Sequence, residues 1–135
     1  HTAAMTGETD LTTLLADLRP ELRDGRYVFV TADAPVDAVA QASVVEPEGR
    51  SLLLRQEDAD RLRLGYDYVA GWITLTVHSS LAAVGLTAAV SAALAEAGIS
   101  CNVIAGYHHD HLLVPVDRVD DALAALHTLV EPGGR

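Results

Sequence analysis

The densest group of side chains able to do chemistry is the tetrapeptide His108-His109-Asp110-His111. On an extended segment, His109 and His111 share a face because side chains alternate. Imidazoles and a carboxylate are suitable ligands for Zn²⁺ or another transition metal, and His78 could supply a further ligand from a neighbouring strand. A solvated turn explains the same residues, since Asp favours turns. His109, Asp110 and His111 are therefore metal candidates, and the sequence assigns no metal or other cofactor.

A second candidate is the start of a predicted helix at Ser79 and Ser80. The first turn of a helix has unpaired N–H groups and a partial positive charge, which suits it to holding a carboxylate. Gly85 would allow a ligand to approach the backbone closely. Asn102 or Asp110 could accept a hydrogen bond from an ammonium group. The alternative is that the serines only cap the helix and the glycine only packs.

Nucleophilic catalysis is the third chemistry that these residues suggest. Cys101 with a histidine, or a serine with His78 and Asp110, could form a dyad or triad. The sequence has no Gly-x-Ser-x-Gly, Walker or His-Glu-x-x-His motif. Cys101 opens a predicted strand and fits a small core residue. We therefore expect a protein that is not an enzyme.

Composition limits the classes of partner. The 135 residues carry a formal net charge of -10, with nine Arg and no Lys. No basic stripe is available for nucleic acid, and the apolar segments are too interrupted for a transmembrane helix, so neither nucleic acid nor membrane is an expected partner. Half of the residues are hydrophobic, which is typical of a globular domain. The single cysteine and the lack of a signal peptide favour the cytoplasm.

The elements that must position these residues follow from periodicity. Leucines at helical spacing predict a first helix over residues 9–22, ended or bent by Pro20. Asp24-Gly25 predicts a turn before a strand at residues 26–31, and residues 46–49 predict a hairpin between strands 42–45 and 51–55. A short helix follows at 57–64, stopped by Gly65. The second half predicts a strand at 72–78, a helix at 81–97 with Gly98 after it, strands at 100–106 and 111–116, and a helix capped by Asp117.

The two halves repeat one order of elements. Ser51-Leu52-Leu53-Leu54 precedes one helix as His111-Leu112-Leu113-Val114 precedes another. Each half lacks one strand that it needs to close a sheet. The prediction is an α+β fold of two interlocked ferredoxin-like units, residues 5–70 and 71–135, with antiparallel sheets and helices on one face. Residues 66–78 would run through the middle, with Trp72 at the seam between the halves.

The sequence resembles the small tandem ACT domain proteins of bacteria. The resemblance lies in Trp72-Ile73-Thr74-Leu75-Thr76-Val77-His78-Ser79-Ser80-Leu81, in Val84-Gly85-Leu86-Thr87-Ala88-Ala89, in Ala97-Gly98-Ile99-Ser100 with Asn102-Val103, and in the segment from Gly106-Tyr107 to Val114-Pro115. The openings Gly7-Glu8-Thr9-Asp10-Leu11 and Gly25-Arg26-Tyr27-Val28-Phe29 extend it over nearly the whole chain.

The resemblance implies a regulatory βαββαβ fold that binds a small-molecule effector, usually an amino acid, at the seam between ACT units. The residues implicated are His78, Ser79, Ser80, Val84, Gly85, Leu86, Asn102, Val103 and Ile104. A homodimer or larger homo-oligomer is expected because incomplete units leave sheet edges unpaired. The alternatives are a protein-interaction or scaffolding module without a ligand and, less favoured, a metal-binding protein using the His-rich segment.

Overall fold

The computed structural model describes residues 18–32, 39–76 and 80–130, with the side chains of residues 80–84 left out. The described part contains a six-stranded antiparallel sheet: β1 (Glu21–Ala32), β2 (Ala42–Glu46), β3 (Gly49–Arg55), β4 (Val69–Thr76), β5 (Asn102–Ala105) and β6 (His109–Pro115). Its helices are α1 (Gln56–Arg61), α2 (Ser80–Glu96) and α3 (Val119–Val130), the last preceded by a 3₁₀ turn at Val116–Arg118. The α+β class and the ferredoxin-like fold are confirmed.

The strand order β2-β3-β1-β4-β6-β5 explains how the two halves interlock. β1 and β4 are antiparallel neighbours at the centre, and each also pairs with the third strand of its own half. Each half therefore gains its missing fourth strand from the other. The predicted central position of the segment containing Trp72 is confirmed, because this residue lies on β4 beside β1.

The two faces of the sheet bury different residues. On the helix face, Ile73, Leu75, Leu112 and Val114 pack with residues of α2 and α3, and a second cluster forms around Val28, Val30, Leu52, Leu54 and Ala59 of α1. The opposite face, called the aromatic face, buries Tyr27, Leu53, Ala70, Trp72 and Leu113. The Trp72 ring meets the Tyr27 ring edge to face, with centroids 4.9 Å apart, across the β1–β4 seam.

Several predicted elements of the first half require correction. Residues 9–17 of the predicted first helix lie outside the described residues, Leu18 is buried, and Leu22 lies on β1 instead of a helix. Asp24-Gly25 does not form the predicted turn before the strand, because β1 continues through both residues. The register of β1 against β4 shifts between Arg23 and Tyr27, and Gly25 has a positive φ. Glycine accommodates that backbone without the clash that a Cβ would cause.

Helix α1 is shorter than predicted. It ends at Arg61, and the left-handed residue after it is Arg63, with φ of 59°, instead of Gly65. The backbone N–H of Leu64 reaches the carbonyl of Ala59, which completes the helix end before the glycine is reached.

The second half follows the prediction more closely. Helix α2 and the positive φ of Gly98 after it are confirmed, as is the β2–β3 hairpin of the first half. The predicted polar loop at residues 107–110 is too long, because His109 and Asp110 belong to β6. Asp117 lies in the 3₁₀ turn, and α3 begins two residues later.

Among the described residues, no helix combines the length and the apolar character needed to span a bilayer.

Candidate functional site

The predicted ligand residues begin where β4 ends and α2 starts. His78 and Ser79 lie outside the described residues, and Ser80 and Val84 are described only as backbone of α2. Gly85 is half-buried and Leu86 is buried on the same helix. Among the predicted residues on α2, the structure therefore describes the side chain of Leu86 and the position of Gly85, both on the second turn of the helix.

A narrow apolar cleft lies between α2 and the sheet. Leu86 and Val103 both line it, so the structure brings together two of the residues that were predicted to bind a ligand. Leu18, Leu75 and Leu112 close its floor, and Asp110 contributes a carboxylate. The cleft has a volume of about 10 Å³. That is about the space one water molecule needs.

Strand β5 divides the remaining predicted residues between the two faces of the sheet. Val103 pairs with Leu112 on the helix face, whereas Asn102 pairs with Leu113 and Ile104 with His111. Because side chains alternate along a strand, Asn102 and Ile104 point away from α2. The sequence analysis grouped three consecutive residues, but only Val103 can contact a ligand held against α2 within the same chain.

The His-rich segment is divided in the same way. His109 and His111 share the aromatic face, as predicted, and their ring centroids are 6.3 Å apart. Asp110 lies on the helix face, where it lines the cleft beside α2. The three candidate metal ligands therefore do not converge, and no group of three or more His, Cys, Asp or Glu suited to a metal occurs in the described residues.

His111 has a specific structural partner. The indole Nε1 of Trp72 donates a hydrogen bond to Nδ1 of His111 at 3.0 Å, and the Thr74 hydroxyl lies 3.2 Å from the same nitrogen. Burial lowers the pKa of His111, and the charges of Arg23 and His109 lower it further. Arg23 also stacks on Trp72, with its guanidinium carbon 3.8 Å from the ring centroid. The neutral imidazole therefore fixes the tryptophan at the seam between the halves.

Cys101 is a half-buried residue that packs against the core of the second half. Burial raises the pKa of its thiol to about 11. A thiol with such a pKa carries almost no thiolate at neutral pH, so it is a poor nucleophile. His127, on α3, is exposed to solvent.

A larger cleft lies at the other end of the sheet, where the sequence analysis indicated no site. It is lined by Phe29, Thr31, Ser51, Tyr66 and Asp67, among others, and its volume is about 490 Å³. These residues come from three separate segments and form no motif. Only the tertiary structure brings them together.

Comparison with known proteins gives consistent results. Two ACT domain models match the sequence in tandem, one over residues 6–71 and the other over residues 68–128. No curated protein matches the sequence.

Solved structures agree with these matches. A Vibrio cholerae protein of unknown function, a possible transport protein, is 45% identical, with a TM-score of 0.84 over 93% of this chain and 100% of that chain. The regulatory subunit of aspartate kinase from Thermus thermophilus is 12% identical, with a TM-score of 0.57 over 85% of this chain and 97% of that one. An Agrobacterium tumefaciens protein is 15% identical, with a TM-score of 0.63 over 84% and 89% of the two chains. The two lower identities establish likeness of fold alone. The tandem model matches and the shared fold together show that the chain belongs to the ACT domain family.

Proposed function

We propose that this protein is a non-catalytic regulatory module that binds an amino acid or a similar small ligand. ACT domains are regulatory modules, and structural likeness to a regulatory subunit of aspartate kinase fits that role. We further propose that the two units divide as residues 5–70 and 71–135 and that the protein acts in the cytoplasm. The observation that supports a ligand site most directly is that Leu86 of α2 and Val103 of β5 line the same cleft.

The proposed ligand lies at the mouth of this cleft. With space for about one water molecule, the interior is too small for an amino acid. The ligand carboxylate would therefore bind the first turns of α2, which include Ser80, Val84 and Gly85. The proposed site also includes His78 and Ser79, which lie outside the described residues. The side chain of the ligand would contact Leu86 and Val103.

A second copy of the chain would complete the site. β5 has β6 on one side and no strand on the other among the described residues, and Val103 is 44% exposed there. Pairing along this edge would satisfy the free backbone groups of β5. It would also bring Val103 and the backbone of Asn102 and Ile104 close to a ligand held by the partner. We therefore propose a homodimer or a larger homo-oligomer.

Thermal unfolding of chelator-treated protein tests the proposal. We expect one amino acid of the twenty to raise the Tm, because a ligand that binds only the folded state stabilises it by mass action. A ligand at about a hundred times its Kd stabilises by roughly 2.7 kcal/mol. Divalent metals tested in parallel would reveal a metal site at His109 and His111. No shift with any amino acid would contradict the proposal and favour a scaffolding module.

The Gly85→Val variant locates the site. A β-branched side chain would occupy the space at the second turn of α2 through which a ligand reaches the backbone. We expect the stabilising amino acid to lose its effect. Ala88→Val is the matched control, because Ala88 is exposed on the same helix. If both variants lose binding equally, or if neither loses it, the ligand lies elsewhere.

A further inference from the structure

The larger cleft arises because the two central strands separate. Pairing between β1 and β4 ends at Val28 and Val69, whereas β1 continues to Ala32 along β3. The last four residues of β1 therefore have a strand on one side only among the described residues. The chain at residues 65–67 runs past this gap and forms the opposite wall.

The backbone of β1 offers both N–H donors and carbonyl acceptors to this gap. Gln41 donates its N–H to the carbonyl of Leu53, so the backbone groups of Leu53 point away from β1. In an antiparallel ladder these directions alternate along each strand. The backbone groups of Val30 therefore point towards Leu52 of β3. Both the N–H and the carbonyl of Thr31 point to the opposite edge of β1, where the cleft lies.

The side chains of the cleft are aromatic, hydroxylic and acidic. Asp67 supplies an exposed carboxylate, and no Arg or His is among the described residues that line the cleft. The Tyr66 hydroxyl donates to Oδ1 of Asp60 at 2.7 Å and accepts from Nε2 of Gln56 at 3.0 Å. These two bonds fix the tyrosine ring on one wall. Ser51 is hydrogen-bonded to Glu46, a second carboxylate close to the cleft.

Size and chemistry distinguish this cleft from the one beside α2. The cleft is wide and open to solvent, and its volume of about 490 Å³ is far larger than the water-sized space beside α2. Carboxylates, a backbone carbonyl and an aromatic ring all attract cations. The net charge of -10 adds a favourable long-range potential for a cation.

We propose that this cleft, formed by Phe29, Thr31, Ser51, Tyr66 and Asp67, binds a small free organic cation bearing an ammonium or guanidinium group. The cationic group binds Asp67 and the carbonyl of Thr31, and the carbon chain contacts the ring of Tyr66. This second site is separate from the proposed amino acid site at α2 and needs no carboxylate on the ligand.

Isothermal titration calorimetry with agmatine tests this site. Agmatine carries a guanidinium and an ammonium group but no carboxylate, so it cannot satisfy a site built for a carboxylate. We expect agmatine to bind. We also expect butylamine to bind and butyrate, which has the same number of carbons, not to bind. Butyrate binding as well as butylamine would overturn the proposal. So would tighter binding of the peptide acetyl-Gly-Arg-Gly-amide than of agmatine, since the occupant would then be a protein segment.

Two variants locate the binding. Asp67→Asn keeps the size of the side chain and removes its charge, and we expect agmatine affinity to fall about tenfold or more. Asp110→Asn is the matched control in the cleft beside α2, and its agmatine affinity should stay unchanged. Tyr66→Leu, which removes the ring, should also weaken binding, with circular dichroism verifying the fold of each variant. Unchanged affinity in Asp67→Asn would overturn the assignment. This test is independent of the proposed amino acid site, because it uses agmatine and not an amino acid. If no amino acid changes the Tm, agmatine binding to the cleft would still stand.

Discussion

At the scale of single residues, His111 couples the protonation of one imidazole to the packing of Trp72. Its Nδ1 accepts the indole hydrogen bond, so protonation at that atom removes the acceptor. The folded state lowers the pKa of His111, chiefly through burial. The corresponding stability is complete above the ordinary pKa of 6.5 and is lost as the pH falls through the lower folded value.

We therefore expect His111→Gln to flatten the pH dependence of the free energy of unfolding between pH 7.5 and 5. Urea unfolding at several pH values, followed by the fluorescence of Trp72, measures this dependence. His127→Gln, at an exposed position on α3, is the control and should keep the wild-type slope. Identical slopes for wild type and His111→Gln would show that this histidine does not contribute.

Cys101 gives a second prediction for a single side chain. With a thiol pKa of about 11 in place of 9.0, the thiolate at pH 8 is about a hundredfold scarcer. We expect a disulfide reagent to react with the native thiol at least about tenfold more slowly than with the denatured chain. Equal rates would show that the thiol is neither buried nor perturbed, and would reopen a nucleophilic role.

At the scale of elements, the contact between β4 and α3 depends on Gly71. A Cβ at this position would overlap the Cγ2 methyl of Val119 at the start of α3. We expect Gly71→Ala to destabilise the protein by about 1–3 kcal/mol through overpacking. Chemical denaturation measures this change.

Two comparisons isolate the cause. At Gly65, an added Cβ meets nothing within 4 Å, so Gly65→Ala should be close to neutral. The double variant Gly71→Ala/Val119→Ala removes the overlapping methyl and should recover part of the lost stability. If Gly65→Ala and Gly71→Ala cost the same, backbone preference and not packing would be the cause.

At the scale of the whole molecule, the shared central strands make the two halves interdependent. β1 and β4 pair along the seam, and Tyr27 and Trp72 bury their rings against each other across it. We expect one cooperative unfolding transition, with Trp72 fluorescence and far-ultraviolet circular dichroism giving the same midpoint. Residues 1–70 or 71–135 produced alone should lack stable structure. Two separate transitions, or a folded half, would contradict this interdependence.

The sequence by itself determined the fold class, the repeated order of elements and the interlocking of two incomplete halves. Apolar periodicity and the missing strand in each half carry that information, because a sheet edge must pair. Apolar periodicity made the strands around Trp72 and Leu112 predictable, together with helix α2 and the glycine that follows it. The continuation of β1 through Gly25 was not predictable, because local turn preference at Asp24-Gly25 was overridden by pairing with β4.

Only the tertiary structure decided how the candidate side chains are grouped. Because side chains alternate along β5 and β6, Val103 and Asp110 lie on one face of the sheet, and Asn102 and His111 lie on the other. The cleft around Tyr66 and the hydrogen bond between Trp72 and His111 join residues far apart in sequence. Such contacts depend on strand register and on where the pairing of two strands ends, and no local sequence motif determines either.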